Sequence, residues 1–191
     1  MGKKLIVAEK PSVGRDIARV VGAKSRGQGC LYGDKYIVTW AIGHLVSLCE
    51  PGEVDAQWVR WRRDALPMLP EHIPLKVLPA TKDQFNVIKS LMADPEVDSL
   101  ICATDSAREG ELIFRLVYEQ CACHKPVKRL WISSLEESAI REGFRHLRAD
   151  SDYDRLYPRG RLSGLRRAGG GVFGQGLLLR KPHLQIRHLE G

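Results

Sequence analysis

Three carboxylates stand close together in the stretch ATDSAREGELIF, residues 103–114. Asp105 follows an apolar run, and Glu109 and Glu111 fall where a helical pattern begins. A further acid, Glu9, ends another apolar run near the start of the chain. Carboxylates crowded at the ends of two buried strands repel one another unless a cation is present. Their types and positions therefore indicate a cation site.

The chemistry of this group favours Mg²⁺. That ion prefers oxygen ligands, takes one or two carboxylates, keeps several waters and meets substrate phosphates. Lys10 and Arg108 lie beside the acids, where they could hold an anion. The alternative is that acids in the first turn of a helix are favoured by the helix dipole alone. Of the two helical acids, we expect that lesser role for Glu111 rather than for Glu109.

Such acids need a scaffold that brings strand ends together. Apolar runs predict strands over residues 3–9, 35–46, 97–105 and 127–133. Patterns of helical period predict helices over 11–22, 82–94, 108–122 and 135–148. A capping box of Ser134 and Glu137 is expected to open the last of these. This order predicts an α/β fold with an open, mostly parallel sheet of about four strands and helices on both faces.

Ligands of open parallel sheets bind outside the carboxyl ends of the strands. Glu9 and Asp105 fall at two such ends, and Glu109 lies in the first turn of the helix that follows Asp105. We therefore expect these three acids to converge on one point if their two strands are neighbours. The N-termini of the helices after Lys10 and after Asp105 would direct backbone N–H groups toward an anion there.

The composition of the chain changes at Pro158. We expect one domain over 1–150, the start of a linker over 151–157, and a Gly/Arg-rich tail over 158–191. The tail holds eight glycines, and its seven Lys and Arg face a single acid, so nearly all of the net charge of +7 lies in it. This composition favours a segment that is disordered or translated out of frame.

Composition and motifs also exclude several classes. No apolar run approaches the ~20 residues of a membrane span, and the first apolar run is too short for a signal peptide. We therefore expect a cytoplasmic protein with no membrane partner. Neither G-x-x-x-x-G-K-[ST] nor G-x-G-x-x-G follows the first strand, so no nucleotide cofactor is expected. Cys121, Cys123 and His124 are interpreted as an ordinary helix end rather than half of a zinc site.

Four motifs occur in order along the chain: LIVAEKPSVGRDIARVVGA, AIGHLVSLCEP, LICATDSAREGELIFRLVYE and RLWISSLEESAIREGF. Together they resemble the N-terminal Toprim domain of type IA DNA topoisomerases, particularly bacterial topoisomerase III and its relatives on mobile elements. The likeness covers about residues 3–157, where DYDRLY (152–157) resembles the approach to that family's next domain.

The resemblance implies a Mg²⁺-dependent, ATP-independent relaxation or decatenation of DNA. In that reaction a tyrosine of a later domain attacks a single-stranded segment, a second strand passes, and the break is resealed. Carried over by motif, Glu9 would be a proton carrier at the leaving 3′-oxygen, and Asp105, Glu109 and Glu9 would be the metal acids. Lys10 would contact the scissile phosphate, and Arg108 would position the DNA or the acids.

The resemblance also implies a wider DNA contact. His44 of the GHL motif and Ser133 would line the site, with core packing as the alternative role for His44. Phosphate contacts supply much of DNA affinity, and the domain outside the tail is nearly neutral. We therefore expect weak, salt-sensitive DNA binding through Lys10, Arg15, Arg108 and the tail.

Two departures from the family pattern change this expectation. Ala107 stands where the D-x-D pair would have its second aspartate, so we expect metal binding to depend more on Glu109. The tail replaces the family's later domains, and Tyr153 and Tyr157 belong to the linker motif, so no nucleophile is expected in this chain. We expect a truncated metal-binding part of a bacterial enzyme of the nucleoid or a mobile element, inactive alone. A free-standing Toprim nuclease or primase-like enzyme and an inactive DNA-binding fragment stay open as alternatives.

Overall fold

The computed structural model describes residues 2–60, 62–68, 70, 72–105 and 107–153. The predicted tail and residues 154–157 of the linker motif lie outside the described residues. Of the described residues, 2–47 and 75–153 form one compact unit, and 48–74 belong to a second. Within these ranges no helix has the length and apolar character needed to cross a membrane.

Nine strands and five α-helices lie in the described residues. The strands are β1 (Lys3–Ala8), β2 (Ser25–Gly27), β3 (Cys30–Tyr32), β4 (Tyr36–Trp40), β5 (Val46–Leu48), β6 (Leu75–Val77), β7 (Val97–Ala103), β8 (Val127–Arg129) and β9 (Arg148–Ala149). The helices are α1 (Pro11–Val21), α2 (Pro51–Val54), α3 (Lys82–Ala93), α4 (Arg108–Gln120) and α5 (Glu137–Arg145). Short 3₁₀ helices span Ala56–Trp58, Arg63–Ala65, Pro79–Thr81 and Asp150–Tyr153.

Seven of the described strands form one sheet in the order β2-β3-β4-β1-β7-β8-β9. The four central strands, β4, β1, β7 and β8, are parallel, and the edge strands are antiparallel to them or to each other. The prediction of an open, mostly parallel sheet around four strands is confirmed. The edge strands β2, β3 and β9 and the β5–β6 pair were not predicted, because two or three residues are too few to show a period of two.

The sheet is covered on both faces. Ile6 and Ile101 pack in one cluster with Ile17 of α1 and Ile140 of α5. Successive residues of a strand point to opposite faces, and Leu5, on the other face, is also fully buried. Central strands that are buried on both sides carry near-continuous apolar runs. This is why the sequence predicts β1 and β7.

Some predicted boundaries differ from the structure. The strand expected over 35–46 ends at Trp40, and Gly43, with φ 82°, turns the chain before β5. The prediction of a capping box is wrong. The Ser134 hydroxyl instead accepts a hydrogen bond from the backbone N–H of Glu136, at 3.2 Å, and α5 begins only at Glu137. Gly22 ends α1 in the left-handed conformation as predicted.

Candidate metal and DNA site

The first two predicted acids lie next to each other at the carboxyl edge of the sheet. Strands β1 and β7 are parallel neighbours, with Ala8 opposite Ala103. Glu9 directly follows β1, and its Oε2 accepts a hydrogen bond from the backbone N–H of Asp105 at 2.9 Å. The condition on which the expected convergence depended, that these two strands are neighbours, is therefore met.

Two helices begin at the same edge. Lys10 is the N-cap of α1, and Ala107 is the N-cap of α4. Neither helix has a side-chain cap on its first N–H groups, which are the groups that bind anions at helix N-termini. Lys10 and Arg108 are exposed beside these termini, and Arg15 is exposed one turn into α1. The basic residues predicted to contact DNA are thus accessible.

The third predicted acid is engaged elsewhere in this structure. Glu109 Oε1 lies 2.6 Å from His44 Nε2, and the two side chains are 69% and 40% exposed. His44 follows β4, on the other side of β1, so the alternative of a core-packing histidine is wrong. Ion pairs as exposed as this one are weak. Glu109 is therefore held by His44 only loosely.

The expected convergence of three acids is not found. Over the described part of the chain, no group of three or more His, Cys, Asp or Glu side chains is placed to hold a metal ion. Glu9 and Asp105 are adjacent, whereas Glu109 turns to His44 because an imidazole lies within reach of its longer side chain. Ser133 is exposed in the segment that follows β8.

Glu111 has a role that the sequence did not indicate. It is buried, with 2% of its surface exposed, and accepts hydrogen bonds from Arg115 Nε at 2.7 Å and Arg129 Nη1 at 2.8 Å. The prediction that Glu111 serves the helix dipole alone is wrong. Its carboxylate instead compensates two buried arginines.

Arg129 is the residue that sequence reasoning missed. It is 1% exposed, and its Nη2 donates to the backbone carbonyls of Thr104, at 3.1 Å, and of Asp105. A signal existed, because the period of two in β8 places Arg129 on the same side as buried Val127 and opposite exposed Lys128. A charged residue on the inner side of a strand needs a buried partner.

Cys121 is the C-cap of α4, so the predicted helix end is found there. Burial, with a smaller contribution from Cys123, raises the pKa of Cys121 to about 12. Burial likewise raises the pKa of Cys102, inside β7, against the opposing effect of Arg129. Burial thus favours the neutral thiol at both positions.

The order of strands and the helices that cover both faces define a Rossmann-like α/β domain, and the acids at two adjacent strand ends form a candidate site at its carboxyl edge. The Toprim domain family matches residues 4–135. The chain therefore belongs to the Toprim family.

Among proteins of described function, the chain is similar to enzymes named DNA topoisomerase 3. Those of Bacillus thuringiensis (strain Al Hakam) and Bacillus subtilis (strain 168) are each 48% identical over 157 residues, which is 82% of this chain and 22% of the relative. The chain thus spans about a fifth of the length of the curated relatives it matches. The solved full-length topoisomerase I of Thermotoga maritima is 19% identical, with a TM-score of 0.49 over 76% of this chain and 21% of that one.

Proposed function

We propose that this chain is the metal-binding Toprim part of a Mg²⁺-dependent, ATP-independent type IA DNA topoisomerase that acts on single-stranded segments of DNA. The observation that carries the proposal is the contact between Glu9 and Asp105 at the ends of neighbouring strands. The 48% identity to enzymes named DNA topoisomerase 3 supports the same activity. The location proposed for this enzyme is the bacterial cytoplasm, where its DNA lies.

The residues present fit Mg²⁺ by their chemistry. Glu9 and Asp105 offer carboxylate oxygens at one edge, and Mg²⁺ needs no more than one or two carboxylates beside its waters. Glu109 could join them when it leaves His44, since their exposed ion pair is weak. The ion would supply positive charge to a phosphoryl group in transfer.

The roles proposed for the other residues are those implied by the type IA topoisomerase motifs that they match. Glu9, the acid that directly follows the central strand β1, would hold a proton for the leaving 3′-oxygen, as the motif of type IA topoisomerases implies. Lys10 and Arg108, each at the start of a helix, would bind the scissile phosphate and the neighbouring backbone. His44 and Ser133 would line the site, and Arg15 would contact phosphate further along α1.

Manganese provides a direct test of the proposed metal site. In the ¹⁵N-labelled 191-residue chain, substoichiometric Mn²⁺ should broaden the amide signals of Glu9 and Asp105 first, because a paramagnetic ion relaxes nearby nuclei. Mg²⁺ should restore them by competition. Asp105→Asn should weaken Mn²⁺ binding by about tenfold or more, the loss of about 1.4 kcal/mol.

The matched control is Glu137→Gln, which removes an exposed acid of α5 that pairs with Arg141. This substitution should leave Mn²⁺ binding unchanged. Broadening that is centred away from Glu9 and Asp105, or that survives in Asp105→Asn at full strength, would contradict the proposal.

A plasmid assay separates the competing functions. We expect the 191-residue chain, tested alone with Mg²⁺, neither to relax nor to nick supercoiled DNA, because in type IA topoisomerases the attacking tyrosine belongs to a later domain. Mg²⁺-dependent nicking that is lost in Glu9→Gln would favour the free-standing Toprim nuclease instead. DNA binding that is equal in Mg²⁺ and in chelator would favour the inactive DNA-binding fragment. Relaxation by this chain alone would refute the assignment as a metal-binding part.

A further inference from the structure

Four buried charged side chains form a continuous network beneath the end of β7. They are Glu111, Arg115, Arg129 and Asp150, none of them more than 8% exposed. The positive charges of the two arginines equal the negative charges of the two acids. Buried charges cost several kcal/mol each unless they are paired and hydrogen-bonded, and every member of this set has an ionic partner within it.

One end of the network holds the backbone of Asp105. The Arg129 guanidinium donates to the carbonyl of Thr104 and to the carbonyl of Asp105. The N–H of Asp105 donates in turn to Glu9. Asp105 is thus held on its N–H side by the end of β1 and on its carbonyl side by β8. Its position depends on Arg129 as directly as on Glu9.

The other end of the network reaches the last described segment. Arg115 Nη1 donates to Asp150 Oδ2 at 3.0 Å, and its Nη2 donates to Oδ1 of the same carboxylate. Asp150 begins the short 3₁₀ helix that follows β9. Glu111 joins the two arginines, one to each of its oxygens. Ion pairs therefore link Asp150 to Arg129, and a hydrogen bond from Arg129 to the backbone carbonyl of Asp105 completes the connection.

We propose that Arg129 is a positioning residue for Asp105, and that Glu111, Arg115 and Asp150 couple the placement of residues 148–153 to the acidic end of β7. The paired, planar contacts of the guanidinium groups fix both distance and orientation. A shift of the segment at Asp150 is then transmitted to the backbone of Asp105. The inference rests on the proposed function for the role of Asp105 as a metal acid.

The test is solvent exchange of single amides in the metal-free chain, measured by NMR. Asp150→Asn removes one charge at the outer end of the network. We expect the Asp105 amide to exchange at least about tenfold faster, whereas the amides of Ile6 and Val7 in β1 change less than about twofold. Should Asp150→Asn not fold, Arg115→Lys makes the same test, because it keeps the buried positive charge but loses the paired contact.

The control and the possible outcomes decide between a positioning and a merely stabilising network. Glu137→Gln, in an exposed ion pair of the same type, should leave all three amides unchanged. Equal acceleration at Asp105, Ile6 and Val7 would mean that the network only stabilises the fold, and no acceleration at Asp105 would also overturn the inference. If Mn²⁺ fails to broaden Glu9 and Asp105 in the unsubstituted chain, the proposed function fails, whereas the exchange result stands by itself.

Discussion

Replacing Arg129 with methionine is expected to lower the free energy of unfolding by about 3–5 kcal/mol, since removal of one partner leaves a buried charge uncompensated. Glu111 would keep Arg115 but lose its second cation, and the carbonyls of Thr104 and Asp105 would lose their donor. Urea unfolding followed by circular dichroism measures the change through the midpoint and slope of the transition.

A second substitution shows whether the uncompensated charge causes the loss of stability in Arg129→Met. In Arg129→Met with Glu111→Met, the uncompensated carboxylate is gone, so the double variant should recover at least about half of the lost stability. Arg141→Met, in the exposed pair with Glu137, should change stability by less than about 1 kcal/mol. A double variant no more stable than Arg129→Met would show that the lost carbonyl contacts, rather than the charge, dominate.

The site combines an accessible surface with a rigid base. Glu9, Asp105 and the basic residues at the helix starts are partly or fully exposed, as a site for a polyanion requires. The backbone beneath them is fixed by buried groups, which lie in a medium where each paired contact is strong. The Thr104 hydroxyl adds a further tie, donating to the carbonyl of Gly110 in α4 at 2.8 Å. The exposed Glu109 lacks such support and turns to His44.

The sequence could predict those parts whose pattern is local. The apolar runs of β1 and β7 are long enough to indicate buried parallel strands, and Pro11 and Gly22 mark the ends of α1 as the structure has them. The position of Glu9 and Asp105 at the carboxyl edge followed from the fold class, because ligand sites of such sheets lie there. That their two strands are neighbours is known only from the structure.

The parts that could not be predicted depend on contacts between distant residues. Asp150 pairs with Arg115 from 35 residues away, and no period links them. The i,i+4 spacing of Glu111 and Arg115 is equally common on exposed helix faces, so it does not reveal burial. The pairing of Glu109 with His44 is likewise a choice among several partners that only the folded arrangement decides.

Gly110→Ala is expected to destabilise the protein, although the same substitution usually stabilises a helix by about 0.5–1 kcal/mol. A Cβ at this position of α4 would lie against the carbonyl oxygen of Asp105 and 2.7 Å from its amide nitrogen, and backbone atoms cannot move aside as side chains do. Overpacking of this kind costs about 1–3 kcal/mol. Urea unfolding should therefore show a net loss of stability, and the Asp105 amide should lose its contact with Glu9.

Gly143→Ala in α5 is the matched control, because its Cβ would meet chiefly the side chains of Ile132 and Leu130. We expect that substitution to destabilise the fold while leaving Mn²⁺ binding at Glu9 and Asp105 unchanged. Gly110→Ala should weaken Mn²⁺ binding as well, since α4 and Asp105 must move apart to admit the methyl group. If Gly110→Ala were as stable as the unsubstituted chain, with the Asp105 signal in place, the close packing of α4 against the acidic strand end could not be what positions Asp105.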